Sequence, residues 1–320
     1  MFRSAAEAAA VRAEKLESGH APILIELFLA GRPEQTSNAY RRDLEAYALE
    51  MAFPNPSRAV NALLQNGAGA ANAIGLAYRA RLITHGLAPA TINRRLASLR
   101  SLLMMAQRLE LISWRLDVPN VRSRSYRDTQ GPGDHGVQLL LQTANAQCDI
   151  RKSRRDVALI RLLHDLALRR GEVCRLQLAD IDLLQGSLSV TGKGEVECTT
   201  IGLPGPTRCA IENWLDIRGG DPGPLFFAFD GAGRLRTDAR LSGGGLWSIL
   251  RTLGRRAGIE AWPHGLRHTA ITKALEVTNG DLRKVQRFSR HRDVRAVLSY
   301  DDNRGDLAGT VASMIVARDR

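Results

Sequence analysis

Residues 263–268 read Pro-His-Gly-Leu-Arg-His, and this stretch fixes the local structure around two chemically active side chains. Pro263 stands where the first residue of a helix is expected, so a helix is predicted over His264–Val277. His264 and Arg267 are three residues apart and project from the same face of that helix. An imidazole that can carry a proton then lies beside a fixed cation. A capping histidine and a surface arginine are the simpler explanation of this pair taken alone.

A second pair of residues three apart lies upstream, where an apolar helix predicted over Arg155–Leu168 ends. Arg169 and Glu172 share one face, so the carboxylate can hold the guanidinium in place. Taken alone, this pair is better explained as a structural ion pair at a helix end. Arg170 is the neighbouring alternative, and Arg169 is preferred because Glu172 shares its face.

Three further residues complete the set. Lys193 lies between two glycines at the tip of a hairpin predicted from strands Gly186–Thr191 and Val196–Ile201. A flexible tip lets an ammonium group reach into a groove, but many ordinary turns have the same composition. His291 follows later in the chain, and Tyr300 comes nine positions after it.

Together these residue types suit an attack on a DNA phosphodiester. The transition state spreads negative charge over the non-bridging oxygens, which the planar guanidinium of arginine matches. A tyrosine phenol, with an ordinary pKa of about 10, leaves a phosphate more readily than an alkyl alcohol does. Proton transfer needs a base for the phenol and an acid for the departing sugar oxygen. The chain supplies candidates for each role: Arg169, Arg267, Tyr300, His264 and Lys193.

Composition favours a polyanionic partner. The 320 residues include 45 Lys and Arg against 33 Asp and Glu, a formal net charge of +12. A basic surface gains affinity from counterion release when it neutralises phosphates. The four cysteines have no paired spacing, and no apolar run is long enough to cross a bilayer, so a cytoplasmic protein in contact with DNA or RNA is expected. The histidines lack a carboxylate at metal-binding spacing, so a zinc site is not expected. The glycine clusters lack the Lys-Ser/Thr ending of a phosphate loop, which argues against nucleotide binding. No Gly-x-Ser-x-Gly occurs, so a serine hydrolase is not supported.

The pattern along the chain predicts a mostly α protein with a small β-sheet. A helical domain is expected over 1–116, a linker over 117–136 and a second domain over 137–320. Helices are predicted in the first domain over Tyr40–Met51, over Ala70–Ile83 and from Pro89, the last with an apolar stripe. Between Thr91 and Asp128 there are eight arginines and three acidic residues. A linker that lies along a phosphate backbone would need this charge.

Further elements are predicted in the second domain. Loops are predicted over Gly219–Gly245, which is rich in glycine, proline and arginine. Besides Arg155–Leu168 and His264–Val277, the predicted helices are Val137–Ala144, Thr207–Ile217, Leu246–Ala257, Leu282–Phe288 and Asp306–Ala317.

The segments resemble the tyrosine recombinase (phage integrase) family in its compact, two-domain, Xer-like form. That family has a Leu-Arg-x-x-Glu box, a lysine in a β-hairpin, a His-x-x-Arg box, and a tyrosine nine residues after a further histidine. This chain has Leu168-Arg169-Arg170-Gly171-Glu172, Lys193, His264-Gly265-Leu266-Arg267, and His291 followed by Tyr300. Two places depart from the pattern: Phe288-Ser289-Arg290-His291 replaces the commoner Leu-Gly-His, and Ala167 stands where glycine often precedes Leu-Arg.

The resemblance implies a site-specific recombinase with a helical core-binding domain that clamps DNA and an α+β catalytic domain. Tyr300 would form a 3′-phosphotyrosyl link, while Arg169, Arg267 and His291 would contact the phosphate. Lys193 would protonate the leaving 5′-oxygen, His264 would serve as acid–base, and Glu172 would orient the Arg169 region. No metal or other cofactor would be required.

The resemblance also implies double-stranded DNA as partner and a homotetramer on two DNA sites, or a tetramer shared with a partner recombinase. The C-terminal tail would dock on a neighbouring protomer. The arginines expected to bind DNA are Arg94, Arg95, Arg122, Arg124 and Arg127. The alternatives are a non-catalytic DNA-binding relative and a type IB topoisomerase-like enzyme that relaxes DNA.

Overall fold

The computed structural model describes residues 20–122, 131–192, 198–298 and 300, together with the isolated positions 309 and 315. The chain forms two compact units, Met1–Arg124 and Ser125–Arg320. Among the described residues, no helix is both long and apolar enough to cross a membrane.

The described part of the first unit is helical. Its helices are α1 (Ala21–Leu29), α2 (Glu34–Glu50), α3 (Pro56–Leu64), α4 (Ala68–Thr84) and α5 (Pro89–Arg108). The apolar stripe predicted on α5 is confirmed, because Ile92, Leu96 and Leu103 are at most 1% exposed. Burying each such side chain contributes on the order of 1.5–3 kcal/mol. These residues pack in one core with the other four helices.

The chain that follows α5 remains attached to this helical core. Val118 is 1% exposed, and a Cβ at Gly75 would lie only 2.7 Å from its side chain. The Asn93 amide donates to the Val121 carbonyl at 2.9 Å and accepts from the Val121 N–H at 2.8 Å. The predicted linker, 117–136, therefore begins with residues that pack in the first unit, and its last four residues start a helix.

The second unit combines helices with two small antiparallel sheets. Its helices are α6 (Gly133–Asn145), α7 (Ile150–Asp165), α8 (Arg170–Arg175), α9 (Gly205–Arg218), α10 (Gly243–Arg256), α11 (Pro263–Val277), α12 (Leu282–Ser289) and α13 (Arg295–Leu298). Its strands are β1 (Ile181–Asp182), β2 (Ser187–Thr191), β3 (Cys198–Gly202), β4 (Phe227–Phe229) and β5 (Leu235–Arg240). The helix predicted over Asp306–Ala317 lies almost entirely outside the described residues.

Helix α7 is the central element of this unit and packs against α6, α9 and α11. Its predicted bounds, Arg155–Leu168, were wrong. It begins after Asp149, whose side chain accepts the Arg151 N–H, and it ends at Asp165. The backbone turns away at Ala167, which has a left-handed φ of +47°. Arg169 therefore does not end α7 but precedes α8.

Strands β1, β2 and β3 form one sheet, in which Val190 pairs with Thr199 and Thr191 with Cys198. Strands β4 and β5 form a second hairpin, although the composition of Gly219–Gly245 predicted loops. The apolar run before Asp230-Gly231 was the missed signal, since Asp-Gly between extended segments favours a hairpin turn. The Asp230 carboxylate accepts from the Arg234 N–H and closes that turn.

Candidate active site

Helix α11 carries Arg267 into the interior of the second unit. Trp262 is extended and Pro263 occupies the first turn, as the sequence predicted. Arg267 is 2% exposed and donates to the backbone carbonyls of Ala167 and Ser289. Burial, aided by the charge of Arg169, lowers the pKa of Arg267 to about 10. The guanidinium therefore stays protonated at neutral pH and is held by fixed carbonyl groups.

Arg169 is the residue that precedes α8, and Glu172 holds it at two points. The Glu172 carboxylate accepts from the Arg169 backbone N–H at 2.8 Å and from its Nη1 at 2.6 Å. Burial alone would raise the pKa of Glu172, but the N–H of Arg169 and the charges of Arg290 and Arg169 lower it. The Arg169 side chain is 39% exposed, against 1% for Glu172. An ionised, buried carboxylate therefore orients a solvent-accessible guanidinium.

His291 lies against Arg267. Its Nε2 is 3.3 Å from Nη2 of Arg267, and its Nδ1 is 2.8 Å from the Ser289 hydroxyl. Because a guanidinium only donates, Nε2 accepts and Nδ1 carries the proton. Burial lowers the pKa of His291 to about 4, and the charges of Arg267 and Arg169 act in the same direction. His291 is therefore neutral at physiological pH.

Tyr300 packs into a small apolar cluster with Ile271, Val285 and Val297, and it is 7% exposed. Its backbone carbonyl accepts from the Thr272 hydroxyl at 3.4 Å. The centroid of its ring lies 5.5 Å from that of His291, 4.9 Å from that of His268 and 6.4 Å from that of His264. Tyr300 also acts electrostatically on Arg267. The phenol and the cationic cluster therefore belong to one chain and one site.

Most of the predicted site residues meet in the second unit. The contacts above join five of them: Arg169, Glu172, Arg267, His291 and Tyr300. The sixth, His264, is an exposed residue of α11, and its ring lies beside that of Tyr300. Lys193 lies outside the described residues, which resume at Cys198. Its part in this site remains a prediction.

The arginines predicted to bind DNA have different surroundings. Arg94 forms a 2.5 Å ion pair with Asp43, which is 2% exposed, so part of its charge is already compensated. Arg95 is half-buried, and Arg122 is exposed. Arg124 and Arg127 fall outside the described residues.

Three residues of the site were not predicted from the sequence: Arg290, Ser289 and His268. Arg290 pairs with Glu172 at 3.3 Å, and its backbone carbonyl accepts from Nη2 of Arg169 at 2.7 Å. The available signals were its position directly before His291 and its place where the Leu-Gly-His pattern has glycine. Ser289 is fully buried, and His268 is one residue beyond Arg267 on α11.

This arrangement suits stabilisation of an anion beside a phenol. Two guanidiniums are oriented before any ligand arrives, which avoids reorganisation when charge develops on a phosphate. Among the described contacts, Arg169 uses two of its N–H groups, on Glu172 and Arg290. A guanidinium has five N–H groups, so others can bind phosphate oxygens.

Comparison with known proteins identifies the family. Residues 134–305 match the phage integrase family. Tyrosine recombinase slr0733 of Synechocystis sp. is 40% identical over 288 residues, which cover 88% of this chain and 90% of that protein. The chain belongs to the phage integrase family. Another relative, tyrosine recombinase XerC of Corynebacterium efficiens, is 29% identical over 86% of this chain and 83% of its own length.

Solved structures with this fold come from other tyrosine recombinases. The Tn1549 transposon integrase in complex with transposon right end DNA gives a TM-score of 0.63 at 14% identity, covering 92% of this chain and 99% of that chain. A lambda integrase dimer bound to a COC′ core site gives 0.63 at 15% identity, covering 86% and 91%. At these identities the likeness concerns the fold. The predicted fold class is confirmed: a mostly α protein with a small β-sheet, made of a helical domain followed by an α+β domain.

Acid should destabilise this phage integrase through His291. The folded-state pKa of about 4 lies below the ordinary 6.5, so between these values the unfolded chain binds more protons than the folded one. The free energy of unfolding therefore falls as pH is lowered from 6.5 to about 4. We expect Tm measured across this window to fall less steeply in His291→Gln than in the unaltered protein. Equal slopes would contradict the buried, neutral state of this imidazole.

Proposed function

We propose that this protein is a site-specific DNA recombinase that cleaves and rejoins DNA strands through a 3′-phosphotyrosyl intermediate. The observation that carries the proposal is the position of the Tyr300 ring, 5.5 Å from His291, which in turn contacts the buried Arg267. Membership of the phage integrase family supports strand exchange, and the net charge of +12 supports double-stranded DNA as the substrate.

In the cleavage step, the Tyr300 oxygen bonds to the scissile phosphorus while the bond to the 5′-oxygen breaks. The phenol proton passes to His264, and Lys193 protonates the leaving 5′-oxygen. The 5′-hydroxyl of a partner strand then attacks the phosphotyrosyl ester and releases Tyr300. Because each step exchanges one phosphate ester for another, the reaction needs no nucleotide, metal or other cofactor.

The remaining groups stabilise the phosphate. Arg169 and Arg267 bind its non-bridging oxygens as negative charge develops. In this scheme His291 lies at the phosphate beside Arg267 and orients that guanidinium, from which its Nε2 accepts. Glu172 does not touch DNA in this scheme, because it is buried and holds Arg169.

The assembly we propose is a homotetramer on two DNA sites, or a tetramer shared with a partner recombinase, acting on DNA in the cytoplasm. The helical domain of each protomer also binds the duplex. The DNA-backbone contacts come from the arginines named in the sequence analysis, of which Arg122 is exposed and Arg94 is partly compensated by Asp43.

Two other functions would use the same fold. A non-catalytic DNA-binding relative would have no need of the phenol, the guanidiniums and the histidines in one cluster. A type IB topoisomerase-like enzyme would use the same phenol chemistry but would relax any supercoiled plasmid. The chain gives no feature that favours either over recombination.

A plasmid assay separates these functions. DNA that becomes covalently attached to the protein in cells is recovered after denaturation, and its ends are sequenced to find the cleavage site. Two copies of that site are then placed on one supercoiled plasmid. A recombinase resolves or inverts the intervening segment only when both copies are present. Relaxation of a plasmid without the site would favour the topoisomerase, and the absence of any adduct would favour the non-catalytic relative.

A further inference from the structure

Arg290 adopts a backbone conformation that its residue type disfavours. It ends α12 with φ +55° and ψ +44°, in the left-handed region. Only glycine enters this region without steric cost. A long, charged side chain at such a position requires an explanation in its contacts, since strained residues cluster at functional sites.

The Arg290 side chain crosses to the segment that precedes α8. Its Nη1 and Nη2 lie 3.2 Å from the Leu166 carbonyl, and Nη2 lies 3.0 Å from the Ala167 carbonyl. Nη2 also lies 3.3 Å from the Glu172 carboxylate. The side chain is 12% exposed, so these contacts are largely protected from water.

These contacts connect Arg290 to both guanidiniums of the site. The Ala167 carbonyl accepts from Arg267 as well as from Arg290. Glu172 accepts from Arg169 as well as from Arg290, and the Arg290 carbonyl accepts from Arg169. Ala167 itself has φ +47°, so two left-handed residues face each other across this junction. A single side chain thus holds the groups that orient Arg169 and Arg267.

We propose that Arg290 is a positioning residue for strand cleavage, which fixes Arg169 through Glu172 and fixes Arg267 through the Ala167 carbonyl. The inference rests on the proposed function. Arg290 does not bind DNA in this scheme. Its guanidinium also adds to the positive charge that keeps His291 neutral.

Replacing Arg290 by glycine tests the role of its side chain apart from that of its backbone conformation. In Arg290→Gly the left-handed conformation becomes favourable while every side-chain contact is lost. We expect single-turnover cleavage of a nicked substrate, which traps the covalent adduct, to slow by about tenfold or more, with duplex binding within about twofold. Asn279→Gly is the matched control, because Asn279 is an exposed, left-handed residue after α11. It should cleave at the unaltered rate.

A pH profile distinguishes positioning from a general loss of structure. Removing one cation from the surroundings of His291 lets this imidazole protonate at a higher pH, and a protonated Nε2 cannot accept from Arg267. The titration of His291, followed by the NMR shift of its ring protons, should therefore move to higher pH in Arg290→Gly. Among the described residues, the charged and titratable groups that act on His291 are Arg267 and His264 from α11, Arg169 before α8 and Arg290 after α12, and the Tyr300 ring lies beside it.

A second variant protects the test against misfolding. Arg290→Lys keeps the charge and the backbone cost, but one ammonium group cannot hold two carbonyls and a carboxylate together, so cleavage should again slow by about fivefold or more. Folded Arg290→Gly and Arg290→Lys proteins that both cleave within twofold of the unaltered rate would overturn the inference. If the unaltered protein forms no adduct, the proposed function fails, and this inference fails with it.

Discussion

Tyr300→Phe should abolish the covalent protein–DNA adduct while leaving duplex binding nearly intact. Phenylalanine retains the ring that packs with Ile271, Val285 and Val297, so the fold should persist. Only the oxygen that bonds to phosphorus is lost. Removal of a nucleophile lowers catalytic rates by on the order of 10⁴-fold or more. The measurement is the amount of labelled DNA that migrates with the denatured protein.

Tyr47→Phe makes the same chemical change in the first unit. The Tyr47 hydroxyl is buried without a hydrogen-bond partner in the described structure, so its loss should be tolerated. We expect this control to form adducts at the unaltered rate. Adducts formed by Tyr300→Phe at that rate would show that another residue is the nucleophile.

Arg169→Ala should slow cleavage by about 10²-fold or more, the effect of removing a preorganised donor from a developing oxyanion. Arg169 is the cleaner test of the two guanidiniums, because its side chain is 39% exposed whereas Arg267 is buried against carbonyls. Binding should weaken far less than cleavage, since one phosphate contact among many is lost. Single-turnover cleavage and gel-shift titration measure the two effects separately.

Arg170→Ala is the adjacent control and also tests the choice made between neighbouring arginines. Its side chain is exposed and lies near Gly243 rather than Glu172. We expect less than a tenfold loss of cleavage. A larger loss in Arg170→Ala than in Arg169→Ala would transfer the phosphate-binding role to Arg170.

Site contacts between residues close in sequence could be predicted, because helix geometry determines them. The spacing of Arg169 and Glu172 predicted their ion pair, although the two residues lie at the start of α8 and not at the end of α7. The contacts of Arg290 could not be predicted in this way. Its partner Glu172 is 118 residues away, and no periodicity links two such positions. The low pKa of His291 could not be predicted from the sequence either, because it depends on the burial of that imidazole in the folded protein.

The helices were predictable from apolar periodicity, most clearly the α5 stripe that includes Leu96 and Leu103. The short strands β4 and β5 were not, because glycine-rich sequence around them outweighed a brief apolar run. The packing of Val118 could not be predicted either, because it depends on the absence of a side chain at Gly75, 43 positions earlier in the chain. The role of Lys193 in the site stays a prediction, because this residue lies outside the described part of the chain.

The carbonyls that hold Arg267 also bear on when this chain becomes able to cut DNA. They belong to residues 100 and 22 positions away, so the guanidinium reaches its place only after distant segments have come together. Contacts that span such long loops form slowly, because closing the loop costs entropy before the contact is made. A chain that has not yet brought residue 289 back against α11 therefore lacks one of the two carbonyls that orient this guanidinium.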